Sequence, residues 1–200
     1  MRQVTGRSSN NSKSKASIRL ASGGRFFSAS TLAGIAEGAD VDVIIDTARV
    51  TLVPQQMAES VSAERLLAIT GQSPLADEVA IFSDAVNEKV AVVAVNKDAY
   101  ETLMSRLGSK MHIYSPLQSD NYSHGRGLVI EVSENICYLR LYNNGLQLAE
   151  AVDVESYDEL LYYVANILNL AKESNDIPMY IMGSNKAYKL LKKYYTVICE

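Results

Sequence analysis

The chain has 200 residues, of which 48% are hydrophobic and 21% charged, with a formal net charge of −4. That balance excludes wholesale disorder, and the mild acidity argues against a surface given over to nucleic acid, which needs a basic face. Two cysteines, Cys137 and Cys199, stand in no Cys-x-x-Cys pair and beside no histidine, so neither a zinc site nor a disulfide framework is expected. The longest apolar runs, such as 90–95, are too short to span a bilayer, and residues 1–17 do not read as a secretory leader. The expectation is a cytoplasmic protein without membrane insertion.

Residues 1–15 carry Arg2, Arg7, Lys13 and Lys15 and no acid, and read as a disordered basic arm. Lacking aromatics, the arm reads as a solvated tail rather than an RNA or membrane contact. Residues 17–20 and 25–28 read as strands of a hairpin about Ser22-Gly23-Gly24, because glycines tolerate the positive φ of tight turns. Residues 41–46 and 49–53 read as a second strand pair, ended by Pro54, which has no N–H for the ladder. A short helix over 63–70 stops at Gly71. Residues 79–84 and 89–95 form a hairpin about Asn87-Glu88, and the second strand, apolar at nearly every position, is expected to be buried on both faces. Asn96 caps a helix with Ala99, Leu103, Met104 and Leu107 at helical spacing, closed by Gly108. A strand over 111–114 completes a first lobe, 16–116, and a Ser-, Gly- and Asn-rich linker follows over 117–126.

The second lobe, 127–200, is the clearest part. Strands are predicted over 127–132, 136–142 and 146–152, the last two joined by Asn144-Gly145, a strong hairpin signal. Ser156 and Glu159 have the spacing of a capping box, and the helix behind them places Leu160, Leu161, Val164, Ile167, Leu168 and Ala171 on one face. A strand over 178–182 leads through Gly183-Ser184 into a helix expected to turn Ala187, Leu190, Leu191 and Tyr194 inward. The two halves echo each other, since a strand runs into Asn96-Lys97 and a helix bearing Tyr100, and again into Asn185-Lys186 and a helix bearing Tyr188.

The fold class is therefore α/β, and two such lobes resemble tandem ribonuclease-H-like lobes of the actin-like ATPase kind, each a mixed sheet with flanking helices. The string Asp46-Thr-Ala-Arg-Val-Thr51-Leu52-Val53-Pro54, the helix start Asp158-Glu-Leu-Leu-Tyr162-Tyr163 and Met182-Gly183-Ser184 are similar to the bacterial domain of unknown function 3822 family. The resemblance covers residue 16 to the C-terminus and implies the actin-like ATPase fold. It also implies three places to look for a nucleotide. The first phosphate loop, expected as an Asp-x-Gly turn between the opening strands of lobe one, is read at Leu20-Ala21-Ser22-Gly23-Gly24, where glycine is present and the acid missing. The second is read at Glu131-Val132-Ser133-Glu134-Asn135, where acids are present and glycine missing, so negative charge would face a triphosphate unless a cation intervened. The adenosine turn is half retained as Gly183-Ser184; Gly183 also reads simply as a tight turn.

Other chemistry reads as structural. The two-metal ribonuclease arrangement would need acids from three elements. Glu131 and Asp158 or Glu159 supply two, but the late strand ends in Gly183 and Ser184. His112 and His124 lie far apart in sequence without an elbow serine. Cys137 reads as a small core residue. Asp153 and Glu155 are explained by the helix dipole behind them, and Lys186, Lys189, Lys192 and Lys193 by a solvated helix face. Twelve tyrosines against three phenylalanines and no tryptophan read for the most part as core-edge packing with water-bonded hydroxyls; the alternative is a partner surface, with Tyr162, Tyr188 and Tyr195 as candidates. The reading is a non-catalytic actin-like protein that binds an unidentified protein partner or a second copy of itself and uses no cofactor. The alternative is an ATP-binding protein or weak ATPase using Gly23, Gly24, Gly183 and Ser184, with Glu131 or Glu134 near magnesium. RNA binding through the basic arm and last helix is a third reading, for which the charge balance speaks against.

Overall fold

A computed structural model describes residues 16–119 and 125–199; the basic arm and His124 lie outside the described residues. The first half runs β1 (Ala16–Leu20), β2 (Val41–Ile45), β3 (Val50–Pro54), α1 (Gln55–Ala58), α2 (Ala63–Ile69), β4 (Glu78–Phe82), β5 (Lys89–Asn96), α3 (Lys97–Leu107) and β6 (Met111–Tyr114). Its strands form two three-stranded sheets, β1-β2-β6 and β3-β5-β4. The first sheet is all parallel and the second all antiparallel. The expected hairpin about Asn87-Glu88 is present, with positive φ at both residues, as the tight turn requires. Asn96 caps α3 by accepting the Ala99 N–H at 3.1 Å. The apolar strand β5 is buried on both faces: Val92 and Ala94 pack with Leu66 and Leu67 of α2, while Ala91, Val93 and Val95 join Val43, Ile45 and Leu103 in the main core.

Two expected pairings in this half are wrong. Residues 25–28 form no strand, and β1 pairs in parallel with β2, from Ala16↔Val41 to Leu20↔Ile45. Ser22, Gly23 and Gly24 do take positive φ. However, the Gly23 N–H donates to the Asp46 carbonyl at 2.5 Å and the Asp46 N–H to the Leu20 carbonyl at 2.9 Å, so the turn extends the parallel ladder instead of folding β1 back. Nor do β2 and β3 form a hairpin. Residues 46–49 carry the chain from one sheet to the other, where the Ala94 N–H donates to the Arg49 carbonyl and draws β3 onto β5.

The second half follows its predicted order: β7 (Arg126–Ser133), β8 (Ile136–Asn143), β9 (Leu146–Asp153), α4 (Tyr157–Leu170), β10 (Met179–Met182), α5 (Asn185–Leu191) and a further short strand, β11 (Val197–Cys199). One mixed sheet has the order β11-β10-β7-β8-β9, antiparallel through β7, β8 and β9 and parallel from β7 to β11. Asn144 and Gly145 both take positive φ in the β8–β9 turn. Ser156 accepts the Glu159 N–H, but the Glu159 carboxylate accepts from Glu155 rather than from Ser156, so the expected box is displaced by one residue. Leu160, Val164, Ile167 and Leu168 of α4 pack with Ala187 and Leu191 of α5 over the sheet. Tyr194, expected inward, is 62% exposed because α5 ends at Leu191; Tyr195 packs against the core in its place.

The halves share buried surface. The main core of the first half includes Ile136, Tyr138 and Ala151 from β8 and β9. The segment read as a linker begins inside this packing, where Pro116, Leu117 and Gln118 form a buried turn capped reciprocally by Ser115 and Gln118. Among the described residues no helix is long and apolar enough to cross a membrane.

Candidate functional site

The apolar run of β2 ends on an acid. Asp46 is only 3% exposed, and a carboxylate so placed must be neutralised and hydrogen-bonded. Arg19, from the neighbouring strand β1, supplies the charge: its Nε donates to Asp46 Oδ2, and its Nη2 lies 2.9 Å from Oδ1. The second half supplies the rest. The Tyr138 hydroxyl donates to Asp46 Oδ1 at 3.1 Å, and Ser133 Oγ donates to Oδ2 at 3.2 Å. The same tyrosine oxygen accepts the buried Thr47 N–H at 3.0 Å. Burial first, and the Asp46 charge second, push the Tyr138 phenol above its ordinary range, so it remains a donor. The hydrogen bond to Asp46 raises the Arg19 guanidinium likewise, against partial burial, with Glu131 adding to it.

Arg19 Nη2 also reaches Glu131 Oε1 on β7 at 3.3 Å, and Glu131 Oε2 accepts from Arg140 Nη2 on β8 at 3.2 Å. Arg140 is 1% exposed and turns Nη1 to the carbonyls of Pro116, at 2.5 Å, and Ser119, at 3.0 Å. Asp46, Arg19, Glu131 and Arg140 thus form a line of alternating charge from the β2–β3 joint to the segment that connects the halves. Beside it lies a cleft of about 430 Å³, lined among others by Ser17, Arg19, Asp42, Ile44, Tyr114 and Glu131. Its floor is the face of the parallel sheet on which Arg19, Ile44 and Tyr114 stand in register. His112 Nδ1 lies 2.9 Å from the Asp84 carboxylate. Among the described residues no three acids, histidines or cysteines are placed to hold a metal ion.

Gly23 and Gly24 are buried in the first half: a Cβ on Gly23 would come within 3.3 Å of the Ala94 carbonyl, and one on Gly24 within 3.1 Å of the Ala99 Cβ. Gly183, at the end of β10 with φ of 83°, faces the Val132 carbonyl so closely that a Cβ would overlap it. Because Gly23 bonds to Asp46, Asp46 to Ser133, and Val132 abuts Gly183, the structure brings these predicted turns to the two ends of one string of contacts. Ser184 caps α5 by accepting the Ala187 N–H and meets the Tyr157 hydroxyl at 3.2 Å. Glu134 holds the β7–β8 turn with φ of 51°. Cys137 is buried, and burial, with the nearby Glu131, pushes its thiol up to about 12. Of the three tyrosines, Tyr162 is 66% exposed and meets Tyr163 edge-on. Tyr188 packs on the second core with its hydroxyl 3.2 Å from Lys192 Nζ, and Tyr195 is also partly buried there.

Sequence reasoning sought the missing acid beside Gly23 and passed over Asp46, Arg19, Tyr138 and Arg140. The available signal was an acid followed by Thr47-Ala48 at the end of an apolar strand, a small-residue turn in which alanine stands where the Asp-x-Gly pattern has glycine.

This fold, mixed α/β with a polar junction between its halves, is the actin-like ATPase fold: a protein of that fold and of unknown function from Bacteroides thetaiotaomicron superposes with a TM-score of 0.68 at 16% identity, over 80% of this chain and 68% of that one. The chain belongs to the family described as Protein of unknown function (DUF3822), whose model matches residues 38–198. Likenesses of outline only are found to the cytoplasmic domain of EpsL, an inner membrane component of the type II secretion system of Vibrio cholerae, with a TM-score of 0.37 at 16% identity over 72% of this chain and 63% of that one. A similar outline is found in the AlfA filament bound to AMPPNP, with a TM-score of 0.39 at 12% identity over 84% and 54%. No curated protein matches the sequence.

Proposed function

We propose that this chain is a non-catalytic member of the actin-like fold that works by binding another protein. The observation that carries the reading is the state of Asp46. An acid at the end of this strand would serve a magnesium-bound phosphate only if its oxygens faced an open site. Here the acid is buried, and both oxygens already take hydrogen bonds, from Arg19, Tyr138 and Ser133. A magnesium ion would have to displace a guanidinium held in two-point contact, and the desolvated acid gains little from the exchange. The glycines of the alternative reading have packing roles of their own, and Ser184 is spent on a helix cap. On this reading the residues at the junction do not fit a magnesium triphosphate, and no hydrolytic step is assigned to them.

A protein partner is favoured over RNA by the acidic balance of the chain, and Tyr162 on the outer face of α4 offers contact area with a polar tip. A cytoplasmic setting belongs to the same reading, consistent with the free, buried Cys137. Isothermal calorimetry with ATP and magnesium is the test: no heat at millimolar nucleotide is expected. Micromolar binding that is lost in an Asp46→Asn variant would overturn the reading.

A further inference from the structure

We propose that Asp46, Arg19, Glu131 and Arg140 form a lock that holds the two halves in one fixed relation, with Arg19 providing from within the chain the positive charge that joins them. This goes beyond the interaction reading, because it concerns how the halves are held whatever the chain binds.

Three features make these residues a lock rather than three separate ion pairs. First, each half contributes a carboxylate, Asp46 from the β2–β3 joint and Glu131 from β7, and the Arg19 guanidinium reaches both through Nη2. Second, the far end is fastened to the connection itself, since Arg140 holds Glu131 with one nitrogen and two backbone carbonyls of 116–119 with the other. Third, the line is buried at both ends, although the Arg19 side chain between them is 44% exposed. Asp46 and Arg140 are almost wholly shielded, and Tyr138, whose hydroxyl meets Asp46, has its ring in the core that the halves share. Moving the halves apart would strip the buried Asp46 of the Tyr138 and Ser133 hydroxyls and the buried Arg140 of the carbonyls of Pro116 and Ser119, and a desolvated charge without its partner is costly. A junction of this kind has discrete arrangements rather than a continuous hinge. Arg19 reaches it from β1, which lies before residue 38, where the family model begins to match, so the joining charge comes from outside the matched segment.

Spin-label distance measurement across the junction tests this. Ala68 on α2 and Ala165 on α4 are exposed and can be replaced by cysteine for labelling in a Cys199→Ser background; Cys137 is buried with a raised thiol and stays unlabelled in the folded protein. The otherwise unaltered chain is expected to give one narrow distance. Glu131→Gln and Arg19→Gln are each expected to broaden it or add a longer distance, and Arg19→Lys to restore much of the narrow peak. If either neutral variant, folded by circular dichroism, keeps the narrow peak unchanged, the charged line through Arg19 and Glu131 does not fix the halves and the lock is wrong. Glu131→Gln leaves Asp46 with all its partners, so it decides the matter even if Arg19→Gln does not fold. Calorimetry and distance measurement read different properties, so the two proposals fall separately.

Discussion

Replacing Tyr138 by phenylalanine deletes one oxygen atom from the junction and leaves the ring in the shared core untouched, so no cavity term enters. The hydroxyl donates to Asp46 at 3.1 Å and accepts the Thr47 N–H at 3.0 Å. Loss of a hydrogen bond to a charged group costs about 1.5–3 kcal/mol, and a buried N–H left without an acceptor costs about 1–3 kcal/mol. Thr47 is itself buried, so water does not take over the second role. Because Asp46 keeps Arg19 and Ser133, the lower part of the combined range applies, about 3 kcal/mol. Urea unfolding followed by circular dichroism reads it directly: with a slope of about 2 kcal/mol per molar, the midpoint is expected to fall by about 1.5 M at unchanged slope. A midpoint within about 0.3 M of the parent would refute the reasoning, since it would mean that the hydroxyl contacts contribute no net stability to the folded state.

Gly183→Ala places a methyl group against the Val132 carbonyl at a positive φ, and a thermal melt is expected to register a loss of at least about 2 kcal/mol, whereas Gly38→Ala, with positive φ but open surroundings, loses less. The Glu78 carboxylate is fully buried, which alone would raise its pKa, but hydrogen bonds from Arg49, the Leu75 N–H and Arg25 outweigh burial and hold it at about 2, below the ordinary 4.5. A depressed folded pKa contributes stability that is present above the unfolded value and lost as pH falls through the folded one. The melting-temperature gap between the parent and Glu78→Gln should therefore be constant above pH 4.5 and close between 4.5 and 2; a gap that persists unchanged down to pH 2 would contradict the assignment. In a Cys199→Ser variant the remaining thiol, Cys137, is expected to ignore a thiol reagent at mildly alkaline pH until urea unfolds the chain, and stoichiometric reaction in the native state would disprove its burial.

The second half was legible because its signals are local. Asn144-Gly145 selects the hairpin, Ser156 opens α4, and a period of 3.6 residues marks the face that Leu160, Val164 and Ile167 bury. In the first half the deciding contacts are remote. Glycines after β1 look like a hairpin turn, but the partner of β1 begins at Val41, more than twenty residues on, and only the Gly23–Asp46 hydrogen bond reveals why. The same holds for the junction. Asp46 finds a phenol 92 residues later in the chain, and Glu131 finds Arg19 112 residues earlier, so short-range periodicity carries no trace of either. Tyr194 failed for the opposite reason: its helical spacing was right, but α5 stops before it.

The burial of Ile136, Tyr138 and Ala151 among the apolar residues of the first half has a consequence for dissection of the gene. A fragment ending at the connection would leave β2, β3 and β5 without one wall of their packing and would expose greasy surface to solvent. Such a piece is expected to aggregate on its own and to regain solubility when the missing piece is co-expressed, so complementation of the severed chain should be obligatory rather than incidental.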